Sequence, residues 1–416
     1  MQQQSPRDDQ QSVRPSFFFA PFFAFVASAV SAQRAKRAAV VLCVGLGVGV
    51  WGLATGSLAQ ELAPERGVDR PIRIALLDDQ DPVFREYTAE QNLGFRLGIE
   101  FLTEGDMTWQ GRAVELSAVP VDEWLRDDDR LPYADELPEQ AFWIAPVQGR
   151  SAHRALQYGA AYDRVVLVPG SPANELPIAD SPLAFRTFYR WQDVDFALFN
   201  WGSEQDELIW VSAVESPVTP DFFSVATLNV SPRASGATVV EEIQAVAETM
   251  AEPVLASSWP VLLDWLPLLN ADVGFDPANM YFWLPDLAAL VPLRDSPGLK
   301  GLTYYYYDLP ANEMNDWLVR TMLAEHDRLP SHHVVAGMTA ALALLQGIAM
   351  ADSVDPNAVA EFMTTLRWQT PRGELSFTVD GETRQPFYRT QLRQQPQLEW
   401  ARPILFDDAL PVWTQP

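Results

Sequence analysis

An α/β protein built as two doubly wound lobes is what the sequence predicts, on three observations. The chain has 416 residues, which is room for two domains at roughly 100–200 residues each. From Arg70 onward, short apolar runs alternate with longer amphipathic ones, as strands and helices do around parallel sheets. Near residue 190 the same alternation starts afresh.

The elements follow in order. An apolar run predicts a strand over 72–77 ending in an acidic loop over 78–82, and Leu93, Leu97 and Phe101, widened by Ile99 and Leu102, predict the helix after it. A second strand is expected over 114–119, with Asp127-Asp128-Asp129 as a solvated turn, then a strand over 141–145, a helix over 151–162 and a strand over 164–168. Three strand–helix steps make one doubly wound half. The segment 184–189 reads as an extended crossing. Beyond it come a helix over 194–201, strands over 207–212 and near 225–228, a β-branched segment over 237–240 and a helix over 241–250. An extended segment is expected over 302–307, where Tyr304 to Tyr307 would alternate faces. Helices over 312–326, 333–350 and 357–366 precede strands over 373–377 and 387–392. Pro386, Pro396, Pro403, Pro411 and Pro416 suggest an irregular finish.

Composition excludes several classes. With 29 Lys plus Arg against 55 Asp plus Glu, the formal charge is −26, which repels phosphate backbones and argues against nucleic-acid binding. A single cysteine, Cys43, excludes disulfide frameworks and Cys-ligated zinc. Only Lys36 and Lys300 are lysines, and arginine in place of lysine with such an acid excess points to a GC-rich genome and a salty, halophilic habitat.

The first 59 residues read as an address. Arg34, Lys36 and Arg37 precede the uncharged stretch 38–59, which ends in Ser57-Leu58-Ala59 before Gln60, the three parts of a secretory signal peptide. At 22 residues the stretch is also long enough for a membrane anchor; its five glycines and small-residue end favour cleavage. Export with a mature start near Gln60 is the expectation, and the residues beyond the signal carry −29. Within the stretch, Gly47-Val48-Gly49-Val50-Trp51-Gly52 matches a dinucleotide fingerprint but has no strand before it and no amphipathic helix after it, so it is set aside.

Catalytic motifs are missing: no G-x-S-x-G elbow, phosphate loop or H-E-x-x-H helix occurs. Of the four histidines, His332 and His333 open a helix behind a Ser331 cap and read as structural rather than as metal ligands. No metal site and no cofactor are expected. Sparse nucleophiles in an exported α/β chain point to a binder, and the loops at strand carboxyl ends are where doubly wound folds hold ligands. There, Gln148, Gly149, Arg150 and Ser151 open a helix whose N–H groups suit a carboxylate. Arg150 pairs with an anion or is merely solvated. Gly170 and Ser171 follow the next strand, Ser257, Ser258 and Trp259 offer hydroxyls and an aromatic wall, and Tyr305 is drawn from the tyrosine run, which serves as either core or pocket.

The order of features resembles the type I periplasmic solute-binding proteins of ABC importers, in the branched-chain and hydrophobic amino-acid uptake group, the leucine-binding-protein-like family. The resemblance rests on Gln91-Asn92-Leu93-Gly94-Phe95-Arg96-Leu97-Gly98 running into Gly111-Arg112-Ala113-Val114-Glu115-Leu116, on Phe185-Arg186-Thr187, on Gly301-Leu302-Thr303-Tyr304-Tyr305-Tyr306-Tyr307-Asp308-Leu309-Pro310, and on Thr370-Pro371-Arg372-Gly373-Glu374-Leu375-Ser376-Phe377. It implies two lobes joined by three hinge crossings near 186–190, 303–308 and 386–389. Residues 68–188 with 306–386 would form the first lobe, 189–305 with 387–408 the second, and 409–416 a tail. It further implies capture of a small molecule such as an amino acid, delivery to the transmembrane permease of an ABC transporter, a periplasmic location, and no membrane contact except through that permease or an uncleaved signal. The family's Ser/Thr positions after the third strand fall on Gln148, Gly149 and Arg150; after the fourth, Ser171 fits and Pro172 departs. The acidic, tyrosine-bearing loop is shortened around 215–223. These departures imply another ligand or a member that no longer transports, so a sensory or accessory binding protein is the alternative, and an exported enzyme the more distant one.

Overall fold

Ile72–Asp78 (β1) is buried along nearly its whole length, the pattern of a central parallel strand covered on both faces. The computed structural model describes residues 70–121, 138–205, 207–213, 226–231, 234–270, 274–309, 311–406 and 412–413. Contacts divide the chain between Arg66 and Gly67, and all described residues lie on the Gly67 side. The expected signal, the Asp127-Asp128-Asp129 turn and the 215–223 loop fall outside the described residues.

The helix after β1 is Pro82–Thr103 (α1), begun by Pro82 and capped by the Asp81 carboxylate, which accepts the Val83 N–H. A tight hairpin joins Thr108–Trp109 (β2) to Arg112–Pro120 (β3); its two turn residues, Gln110 and Gly111, both have positive φ, as such a turn demands. Phe142–Ile144 (β4), Gly149–Ala161 (α2), Val165–Val168 (β5) and Ala184–Arg186 (β6) complete the first sheet, in the order β2-β3-β1-β4-β5-β6 and parallel except at the hairpin.

The pattern then repeats. Trp191–Gly202 (α3) leads into Leu208–Ala213 (β7), Ala226–Val230 (β8), Gly236–Ala247 (α4), Val254–Ser257 (β9), Met280–Leu284 (β10) and Lys300–Thr303 (β11). Their parallel order, β8-β7-β9-β10-β11, matches β3-β1-β4-β5-β6 strand for strand. Three helices follow, Glu313–His326 (α5), His332–Ala351 (α6) and Pro356–Met363 (α7). A small antiparallel sheet of Arg367–Thr370 (β12), Gly373–Phe377 (β13) and Thr383–Arg384 (β14) comes next. The chain ends on Pro386–Arg393 (β15), Arg402–Leu405 (β16) and Val412–Trp413 (β17), with β15 antiparallel to β11, β16 and β17.

Three crossings join the halves. β6 belongs to the first sheet, whereas α3 packs on β9, β10 and β11 of the second. β11 returns the chain toward α6, which packs along α1. Gln385 separates β14 from β15. Two buried arginines knit these strands. Arg372 bonds the Tyr304 carbonyl (3.0 Å), the Gln385 amide oxygen (2.6 Å) and the Pro386 carbonyl, with its guanidinium 3.4 Å from the Tyr304 ring centre. Arg186 bonds the Ala173 carbonyl (2.8 Å) and faces Glu382 at 3.3 Å.

Helix α6 is apolar enough to cross a bilayer by length and composition, yet 78% of its most apolar window is buried in the protein, as in a core helix. It lies against α1 at a close crossing, where Gly94 and Gly337 bring the two backbones together.

Several expectations are corrected. The β-branched segment 237–240 is the first turn of α4, because Ser235 accepts the Thr238 N–H and starts the helix. The strand expected over 302–307 ends at Thr303, and Tyr304, Tyr305 and Tyr306 are all buried instead of alternating. Strands β9 and β10 are fully buried and lack the period-two pattern that would have exposed them to sequence reading. The expected irregular finish holds over 394–401, and is interrupted by the short strands β16 and β17.

Candidate functional site

A cleft of about 720 Å³ lies at the carboxyl ends of the parallel strands, with walls from both halves. From the first come Phe84 and Tyr87 of α1, Val147 and Gly149 at the start of α2, and the loop from Gly170 to Glu175 after β5. The first crossing and α3 add Phe188, Tyr189, Trp191 and Asp195. The second half contributes Ser258, Trp259, Trp283 and Pro285, and α6 presents His332 and His333.

Of the residues singled out in the sequence, Gly149, Gly170, Ser171, Ser258 and Trp259 line this cleft. A Cβ at Gly170 would approach the Gln91 amide oxygen to 2.3 Å and the Val147 side chain to 2.8 Å, so a larger residue would have to displace both side chains. Ser171 is fully buried, and its hydroxyl has no hydrogen-bond partner among the described residues.

The other five are turned elsewhere. The Gln148 N–H donates to the Asp79 carboxylate (3.1 Å), and its side chain accepts the Ser151 hydroxyl (2.7 Å). Asp79, which also accepts the Thr88 hydroxyl (3.1 Å), therefore stands where the helix N-terminus would otherwise offer N–H groups to an anion. Burial pushes the Asp79 carboxyl up, opposed by those bonds. Arg150 is exposed and lines an adjoining groove of about 500 Å³ with His153, Arg154 and Gln157, which shares Gly149, Ala173 and Glu175 with the cleft. Ser257 spends its hydroxyl on the Val211 carbonyl (2.7 Å) and accepts the Trp259 N–H (3.0 Å). Tyr305 is buried and donates to the Asn315 side chain (2.8 Å).

Sequence reading passed over the aromatic and histidine wall. Phe188 stacks against the His332–His333 pair, with ring centres 6.0 and 5.9 Å away, and the two histidine rings lie 4.1 Å from each other. Tyr189 meets Trp283 (4.9 Å, 67°) and Trp191 (5.7 Å, 75°) edge to face. The only hint was position, His332-His333 directly behind a cap; Ser331 does accept the Val334 N–H.

His332 is held by Asp286, whose carboxylate faces its Nδ1 at 2.5 Å and accepts its backbone N–H at 3.2 Å. Burial works to raise the Asp286 pKa, but the attraction of His332 and these bonds outweigh it and hold the carboxyl at about 2. Burial drives the His333 imidazole well below its usual value, His332 adds repulsion, and the ring is neutral. Among the described residues no cluster of three or more His, Cys, Asp or Glu is placed to hold a metal ion.

Comparison with known proteins bears out the fold that the resemblance implies, and a family model described as periplasmic binding protein matches part of the chain, residues 225–396. A branched-chain amino-acid ABC transporter protein from Rhodopseudomonas palustris superposes with a TM-score of 0.66 at 20% identity, covering 80% of this chain and 95% of that one. A solute-binding protein of an ABC transporter from the same species, in complex with 3,4-dihydroxybenzoic acid, gives 0.61 at 13% identity, covering 82% and 96%. A leucine-binding protein from Thermotoga maritima gives 0.59 at 13% identity, covering 83% and 99%. No curated protein sequence matches the chain. The fold is that of the type I periplasmic binding proteins.

Proposed function

We propose that the protein is an exported solute-binding component of an ABC importer, which captures a small molecule between its lobes and hands it to a membrane permease. The observation that carries this reading is the cleft: one cavity at the strand carboxyl ends, walled by both halves and framed by three crossings. Residues 68–188 with 306–386 would move as one body against 189–305 with 387–408, and the solute would favour the closed form only by contacts it gains there. Residues 1–59 would direct export to the periplasm, and the acidic surface would suit a salty exterior. The site calls for recognition rather than chemistry, since the buried Ser171 hydroxyl has no hydrogen-bond partner among the described residues and so no general base beside it.

The test is calorimetry with amino acids, aromatic acids, amides and compatible solutes, followed by uptake of the binding solute in a strain lacking the gene. Loss of uptake supports the transport role. Binding with unchanged uptake would favour the sensory or accessory reading, which Asp79 at the family's anion position also favours. No binding to any solute would remove both.

A further inference from the structure

The chemistry of the cleft wall narrows the solute class, an inference that rests on the solute-binding reading above. Among the described lining residues there is no lysine or arginine. Asp195 is nearly fully buried and already engaged within the protein, and Glu175 is exposed. Asp286 holds the His332 ring, and burial leaves the His333 ring neutral. An ion taken out of water into such a wall would lack a counter-charge, which is costly.

The backbone donors that could greet an anion at the helix N-termini are engaged as well. At the start of α2, the Val147 N–H donates to the Thr88 hydroxyl (3.3 Å) and the Gln148 N–H to Asp79 (3.1 Å). At the start of α6, the His332 N–H donates to Asp286 (3.2 Å) and the Val334 N–H to the Ser331 hydroxyl (3.3 Å).

The hydrogen-bonding capacity that is left is uncharged. Ser171 lines the cleft fully buried, and its hydroxyl, which can both donate and accept, has no partner among the described residues. Nδ1 of His333 likewise has none. Around these two the wall is largely aromatic. Tyr189 meets Trp191 at 75° and Trp283 at 67°, so a flat ring lying on one of these faces presents its edge to another, the two arrangements that aromatic pairs prefer.

We infer that the solute is an uncharged aromatic compound bearing a hydroxyl or carboxamide, with that group on the Ser171 hydroxyl and its ring among Tyr189, Trp191 and Trp283.

The experiment titrates the purified full-length protein by calorimetry. The probes are benzamide and its anionic isostere benzoate, benzyl alcohol and its cationic isostere benzylamine, toluene, and leucine. The expected result is binding of benzamide or benzyl alcohol, at least about tenfold tighter than the charged isostere, with Ser171→Ala weakening it about fivefold. Should Ser171→Ala fail to fold, toluene on the unaltered protein reads the same hydrogen bond and should bind more weakly than benzyl alcohol. A charged isostere that binds within tenfold of its neutral partner overturns the inference, as does unchanged affinity in Ser171→Ala or toluene equal to benzyl alcohol. Binding of leucine alone overturns it and leaves the solute-binding role standing. Silence from all six probes also overturns it, and the wider solute panel then judges that role separately.

Discussion

Replacing Gly337 by alanine should unseat α6 from α1, and the structure sets the scale. A Cβ at Gly337 would lie 1.9 Å from the Gln91 carbonyl oxygen and 2.8 Å from its carbon, both backbone atoms that no rotamer change can remove. Restoring an ordinary contact of 3.4 Å requires the helices to part by about 1.5 Å. A gap of even 0.5–1 Å forfeits roughly a quarter to a half of each dispersion contact, and overpacking of this kind costs about 3 kcal/mol. Alanine returns about 1 kcal/mol through helix propensity, for a net loss of about 2 kcal/mol. At roughly 2 °C per kcal/mol for a body of this size, thermal unfolding should fall by about 4 °C. Gly347→Ala is the control: its Cβ would meet the Met363 side chain at 2.7 Å, a flexible neighbour that can turn aside, so the change should stay within about 1 kcal/mol. Scanning calorimetry reads both. An unchanged or raised Tm for Gly337→Ala would refute the close crossing.

Three further outcomes are expected. Arg372→Lys loses the fork that reaches Tyr304, Gln385 and Pro386 and should cost about 3 kcal/mol in urea unfolding; an unchanged midpoint would mean the crossings are tied elsewhere. Asp286 has its carboxyl lowered from 3.8 to about 2, so its contribution is present above pH 4 and is lost as the pH falls toward 2. The stability gap between the protein and Asp286→Asn should therefore shrink by about 2 kcal/mol across that window; a gap constant with pH would contradict the pairing. Arg150→Ala, lying outside the cleft, should leave solute affinity unchanged in calorimetry while Ser171→Ala lowers it, and the reverse would move the site to the neighbouring groove.

Strands that alternate with amphipathic helices were open to sequence reading, which is why β1, α1, β3, α2 and β5 stand close to where periodicity places them. The misses have physical causes. Met280–Leu284 is apolar throughout, so no periodicity separates it from a helix segment. Thr238, Val239 and Val240 favour extended backbone by their branching, and the Ser235 cap overrides that preference. At the site, loop positions were legible because doubly wound folds hold ligands there, as for Gly149, Gly170, Ser171, Ser258 and Trp259. What each loop does with its side chains was not. Asp79 reaches the α2 N-terminus from 69 residues away, a contact that exists only once β1 and β4 are paired. His332 and Trp283 join the wall for the same reason, through packing that no local pattern encodes.

The central claim is that the two halves close on a solute. Small-angle X-ray scattering of the protein, with and without a saturating solute that calorimetry shows to bind, tests it most directly. A fall in radius of gyration at constant mass is the predicted result. Heat of binding with no change in that radius would contradict closure.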